Sequence, residues 1–182
     1  MDAIKLEDLP SYTYEDYKHW EGNWELINGI PYAMAPSPVK IHQKLIISIT
    51  SEFLTKTQKC KECEVLLEED WKIDEKNVVR PDVSIVCNDS NPNFIAKTPK
   101  IIFEVISPST ALQDENIKYK IYEKEGVKYY VLIYPDSLIA KVFKNENFKF
   151  VKIGEFDKED FIFDIDICKI EISFDEIFKR FR

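Results

Sequence analysis

The sequence predicts a mixed α/β or α+β domain. Short apolar runs bounded by turn residues recur along the chain and read as strands. Two longer stretches change to a helical period; in one of them Ile41, Leu45, Ile49 and Phe53 step by four. The order is helix and hairpin, helix, a run of strands, helix, then more strands, which suits a sheet with flanking helices. A length of 182 residues suits one domain over 1–182, with residues 1–10 as a loose leader. With 45% hydrophobic and 13% aromatic residues the chain can bury a proper core.

The elements follow in order. Thr13 is placed as the N-cap of a short helix with Asp16 at N3, ending near Gly22. Asn28-Gly29 joins the apolar runs 24–27 and 30–34, the strongest short hairpin signal. Pro31 puts its strand at an edge or turns its peptide unit to solvent. Pro36-Ser37-Pro38 breaks the chain before an amphipathic helix over 39–57. Residues 64–73, 78–87 and 100–107 read as strands, with a polar loop over 89–98. Residues 100–107 are dense in apolar side chains and read as a central strand covered on both faces. Residues 110–125 read as a helix closed by Gly126 in a left-handed conformation. Strands follow at 128–134, 138–144 and 148–153. The acidic run 155–166 reads as loop with at most one short strand, and Ser173 starts a final helix over 175–181.

Bulk properties narrow the function. The net charge of −8 argues against strong non-specific nucleic-acid binding, so any basic contact surface must be local. Lys56, Lys59 and Lys61 offer a modest one, with solvated surface as the default. No apolar run is long enough to span a bilayer, and Met1 to Asp8 lacks the pattern of a secretory signal. A cytoplasmic protein is expected, with no membrane partner and with reduced thiols, since four cysteines do not make a disulfide framework at this size. Cys60-Lys61-Glu62-Cys63 spells CxxC, but Cys87 and Cys168 stand alone, so zinc is not expected. Four glycines leave no phosphate-cradling loop, and Ser107 and Ser109 lack His and Asp partners for acyl chemistry.

The chemical content lies between residues 77 and 126. Asp82 and Glu104 each interrupt an otherwise apolar strand, where a buried position does not want a charge. Two carboxylates can hold a hard divalent cation. Lys118, on the following helix, can steady a nucleophilic water or developing negative charge. The competing reading of Lys118 is an i,i+4 surface salt bridge to Asp114. Lys120 is the rival lysine on a different helix face, and Tyr122 shares the stripe of Asp114 and Lys118, with core packing as its expected role.

Pro81-Asp82, then Glu104 in Phe-Glu-Val-Ile-Ser, is similar to the PD-(D/E)xK restriction-endonuclease-like superfamily. More closely, an ordered series resembles the Uma family of restriction endonucleases. It comprises Glu25-Leu26-Ile27-Asn28-Gly29, Pro36-Ser37-Pro38 with His42-Gln43, and Arg80-Pro81-Asp82-Val83-Ser84. Glu104-Val105-Ile106-Ser107-Pro108-Ser109-Thr110 and Asp114, Lys118, Tyr122 and Gly126-Val127 complete it. These pieces cover about residues 12–142. The resemblance implies a restriction-endonuclease-like mixed central sheet flanked by helices, and Mg²⁺-dependent phosphodiester hydrolysis of nucleic acid, DNA by preference, with Mn²⁺ as a substitute cation. Ile106 stands where the general motif has its lysine, and Lys118 matches the position to which that lysine has moved in the resembled family. Asp82, Glu104 and the Val105 carbonyl are then the implied metal ligands. The resemblance adds Glu25 as a further carboxylate and His42 facing the phosphate. A homodimer is compatible with double-strand cutting, although no residue demands it. The alternative is a catalytically degraded module of the same fold acting through protein contacts; Tyr12, Tyr14, Trp20 and Trp24 would suit such an interface, and core packing explains them equally well.

Overall fold

A computed structural model of the chain describes residues 9–34 and 39–182. Most of the expected leader and the Pro36-Ser37-Pro38 break lie outside them. The elements are α1 (Tyr14–Tyr17), β1 (Trp24–Ile27), β2 (Ile30–Ala33), α2 (Lys40–Lys56), β3 (Cys63–Leu67), β4 (Trp71–Asp74), β5 (Asn77–Val79), β6 (Val83–Cys87) and β7 (Ile101–Val105). A π-helical turn (Gln113–Lys118) runs into α3 (Tyr119–Lys124), followed by β8 (Tyr129–Tyr134), β9 (Ile139–Asn145), β10 (Phe150–Phe156), β11 (Asp160–Asp164), β12 (Lys169–Ser173) and α4 (Phe174–Phe178).

The architecture is mixed α+β. A six-stranded sheet has the order β10-β9-β8-β7-β6-β3, a four-stranded sheet β2-β1-β5-β4, and β11 pairs with β12. In the large sheet β7 and β8 are parallel and the other neighbours antiparallel. The parallel pair needs a crossover, and the segment containing α3 supplies it. All five residues of β7 are buried, as its apolar sequence predicts.

The strand period sorts side chains to two faces of the large sheet. Ile101, Phe103 and Val105 join Leu45, Ile49, Phe53, Phe163 and Phe174 in one core, under α2 and α4. Ile102 joins Val86, Tyr122, Tyr130, Trp71 and Ile27 in the other, between the large sheet, α3 and the small sheet. Glu104 has the parity of Ile102, so it projects into this second layer.

Two expected strands are each split between sheets. Residues 64–73 become β3 and β4, broken where Glu68 takes a positive φ of 46°. Residues 78–87 become β5 and β6, broken at Arg80-Pro81, because proline cannot donate to a ladder. Both splits let the chain leave one sheet and enter the other. The acidic run over 155–166, expected as loop with at most one short strand, holds the end of β10 and all of β11, which forms a hairpin with β12. The acidic residues conceal an alternation in which Phe161, Phe163 and Ile165 pack on the α2 core. Helix α1 is a single turn, with Thr13 N–H donating to Asp16 Oδ2 at 2.8 Å. The Asn28-Gly29 turn has φ of 52° and 75°, as a two-residue hairpin of the primed kind needs. A Cβ at Gly29 would stand 3.1 Å from the Tyr12 carbonyl, so space also selects glycine there. Gly126, with φ of 77°, takes the expected left-handed end.

The expectation of reduced thiols is corrected. Cys60 is bonded to Cys168 and Cys63 to Cys87, and no cysteine is free. The sequence conceals this because each member of the CxxC pair finds a distant partner. Cys63 and Cys87 are direct cross-strand neighbours, whereas Cys168 reaches Cys60 from the β11–β12 turn. No helix among the described residues is long and apolar enough to cross a membrane.

Candidate active site

Asp82 stands at the entry to β6 and Glu104 on the adjacent β7. Asp82 Oδ2 accepts the Val105 amide at 2.7 Å, and Glu104 Oε2 accepts the Asp82 amide at 3.3 Å. Each carboxylate is therefore tied to the other residue's strand, and the two lie side by side. The Val105 main chain lies against Asp82 through the same bond.

The π-helical turn brings the third group. Widened helical turns often mark functional sites, and this one buries both Asp114 and Lys118. Lys118 Nζ lies 2.9 Å from Glu25 Oε1, 3.1 Å from Glu104 Oε1 and 3.4 Å from Asp114 Oδ1. Lys118 thus makes the Asp114 salt bridge, but as one contact of three and in the interior. Lys120 is exposed. Glu25 arrives from β1 of the small sheet and is held by the Arg80 amide at 2.8 Å and by the Gln113 side-chain amide. His42 sits in the first turn of α2, with Nε2 3.1 Å from Asp82 Oδ2.

All six side chains are buried. Glu25, Glu104, Asp114 and Lys118 are at most 4% exposed, and Asp82 and His42 are 8% exposed. Four carboxylates against one ammonium and one imidazole leave this interior short of positive charge. Burial pushes the Glu104 carboxyl well above the usual carboxylate range; Lys118 opposes the rise, and Asp114, Asp82 and Glu25 add to it. Burial raises Asp114 as well. Burial alone would lower Lys118, but Glu104, Glu25 and Asp114 hold its ammonium well above the ordinary lysine value. For His42 too, burial acts downward, and the hydrogen bond and charge of Asp82 outweigh it, so the imidazole is raised.

Sequence reasoning missed two contributors. Tyr122, expected to pack, is fully buried, and its hydroxyl donates to Glu104 Oε1 at 2.9 Å. The signal was its place four residues after Lys118 on one helix stripe. Gln113 left no signal, because its partner Glu25 lies 88 residues away. Nearby, Arg80 Nε bonds Asp70 Oδ1 at 2.8 Å and Tyr17 donates to Asp70 Oδ2 at 2.9 Å, tying α1 to the segment that carries Asp82. The aromatics Tyr12, Tyr14, Trp20 and Trp24 are partly buried in a cluster around Tyr17: Trp20 packs edge-on against Tyr12, Tyr17 and Trp24, and Tyr14 stacks on Tyr17. A groove of about 450 Å³ opens beside Tyr12, Trp20 and Trp24 and does not reach the carboxylates.

No set of three or more His, Cys, Asp or Glu among the described residues is arranged to hold a metal as it stands. In the cleft the reason is visible: Lys118, Tyr122, His42 and two main-chain amides already occupy carboxylate oxygens. The donor set nevertheless fits a hard cation, since its carboxylates supply oxygens and carry excess negative charge. A divalent ion here would take over oxygens now held by the ammonium.

The fold is similar to that of "a putative nuclease belonging to DUF820 from Anabaena variabilis ATCC 29413", with a TM-score of 0.69 and 18% identity over 92% of this chain and 97% of that one. No curated protein matches the chain. The family model described as "Uma2: Putative restriction endonuclease" matches residues 13–160, a span that includes every side chain of the cluster, and the chain belongs to that family.

Proposed function

We propose that the chain is a metal-dependent endonuclease that hydrolyses phosphodiester bonds, with DNA as substrate and Mg²⁺ as the ion. The observation that supports this reading is the pairing of Asp82 with Glu104, each bonded to the other's strand, beneath the Lys118 ammonium. Asp82, Glu104 and the Val105 carbonyl are the residues that would hold the ion. When bound, such an ion lowers the pKa of a coordinated water and offsets the charge of the phosphate. Lys118, released from part of its carboxylate cage, orients the water or meets the charge that develops on the phosphoryl oxygens. Glu25 and Asp114 set where the ammonium rests. His42 Nε2 lies 3.1 Å from Asp82 Oδ2, where it steadies that carboxylate.

A second reading is favoured by one specific contact pattern. Lys118 bonds three carboxylates at once, which is also how a cleft would look if the lysine permanently replaced the ion in a binding module. One assay separates the two. Wild-type protein is incubated with plasmid DNA and with RNA, with Mg²⁺ or with a chelator. Mg²⁺-dependent strand cleavage is expected, and cleavage that is absent under every condition leaves the binding module.

A further inference from the structure

Outside the carboxylate cleft, one other cluster has strong metal chemistry. The four cysteines of the chain come from three separate segments and meet at the end of β6 remote from Asp82. Cys60 and Cys63 sit on a tight turn after α2, where the Cys63 amide donates to the Cys60 carbonyl at 2.9 Å and the Cys60 amide to that of Thr57 at 2.7 Å. Cys87 ends β6 directly opposite Cys63, and Cys168 reaches Cys60 from the β11–β12 turn. All four belong to or pack against the same apolar core, and Cys60 is 2% exposed.

We propose that these four residues form a tetrathiolate zinc site when the chain is reduced. Zinc favours four sulfur ligands in a tetrahedron, and its structural sites begin with a C-x₂-C turn of the kind found here. With Zn–S near 2.3 Å the sulfurs stand about 3.8 Å apart. The Cα separations within the two pairs are 6.0 and 3.9 Å, and the hydrogen-bonded Cys60–Cys63 turn joins one pair to the other. Four thiolates around Zn²⁺ carry a charge of −2. The site lies roughly 17 Å along β6 from Asp82, at about 3.4 Å per residue, so it is a structural clasp and not part of the carboxylate cleft. It would join the end of α2, two strands of the large sheet and the β11–β12 hairpin.

A dithiol reductant gives two electrons and two protons to each disulfide, releasing four thiols, and Zn²⁺ displaces their four protons. The disulfides are the oxidised form of the same cluster.

The test uses the full chain, reduced with a phosphine and titrated separately with Zn²⁺ and Co²⁺. Native mass spectrometry is expected to show one Zn²⁺ per chain with four protons lost, and Co²⁺ is expected to give intense thiolate-to-cobalt charge-transfer absorption. The Cys60→Ser/Cys168→Ser double variant should lose both signals, and Asp82→Asn should keep both. A reduced wild-type chain that takes up no zinc overturns the proposal. So does a cobalt complex without the thiolate band, which would place the ion on the carboxylates. These outcomes are independent of whether the chain cleaves DNA.

Discussion

Lys118 Nζ stands 3.1 Å from Glu104 Oε1, although 14 residues separate the two in sequence. The same nitrogen reaches Glu25 on the small sheet, so a single ammonium joins both sheets to the crossover segment. Stability and the proposed chemistry therefore depend on the same contact.

Removing that ammonium leaves three buried carboxylates without their counter-ion. Breaking a buried pair by deleting one partner costs about 3–5 kcal/mol. Lys118→Met should lower the unfolding free energy by about that amount in urea melts in the absence of divalent ions. Added Mg²⁺ should restore part of the loss. A variant as stable as the parent would show that Lys118 does not neutralise the cluster.

Tyr122→Phe keeps the ring and deletes one donor to Glu104. Leaving a buried acceptor without its donor costs about 1–3 kcal/mol. The variant should lose stability within that range while its circular dichroism is unchanged. An unaltered unfolding midpoint would return Tyr122 to simple packing.

How far the sequence reveals this site depends on the distance between partners. Asp82, Glu104 and Lys118 are legible because each puts a charge into a pattern that otherwise predicts burial. The Tyr122 hydrogen bond and Gln113 are not: the helix stripe sets Tyr122 beside Lys118 without telling a donor from core packing, and Gln113 bonds a strand 88 residues away. The fold shows the same limit. Hairpin and helix ends are local and follow Asn28-Gly29 and Gly126. The exchange of strands between sheets at Glu68 and Arg80-Pro81 is a tertiary choice, and the long-range disulfides have no local signal at all.

Asp89 ties the loop before β7, accepting amides from Asn91, Ala96 and Lys97 at 2.7 to 3.0 Å. Burial pushes its carboxyl up, but the three amides outweigh burial and hold it below the usual value. A depressed folded pKa stabilises above the unfolded pKa and is lost as pH falls through the folded one. The stability difference between wild type and Asp89→Asn should therefore be full from about pH 5 upward and shrink below about pH 4. A difference that is flat with pH would contradict the assignment.

The Cys60–Cys168 bridge spans 108 residues and the Cys63–Cys87 bridge 24. Chain entropy assigns about 4–5 kcal/mol to the longer loop and about 3–4 to the shorter. In oxidising, chelator-treated buffer, Cys168→Ser should lower the melting temperature more than Cys87→Ser. The reverse order would show that local packing around β3 and β6 dominates.

The most direct measurement is DNA cleavage by wild type, Asp82→Ala and Glu104→Ala with Mg²⁺, each variant first checked by circular dichroism. Cleavage by the parent and none by either folded variant is the predicted result. Folded variants that cleave as fast as the parent would contradict the placing of the chemistry on these two carboxylates.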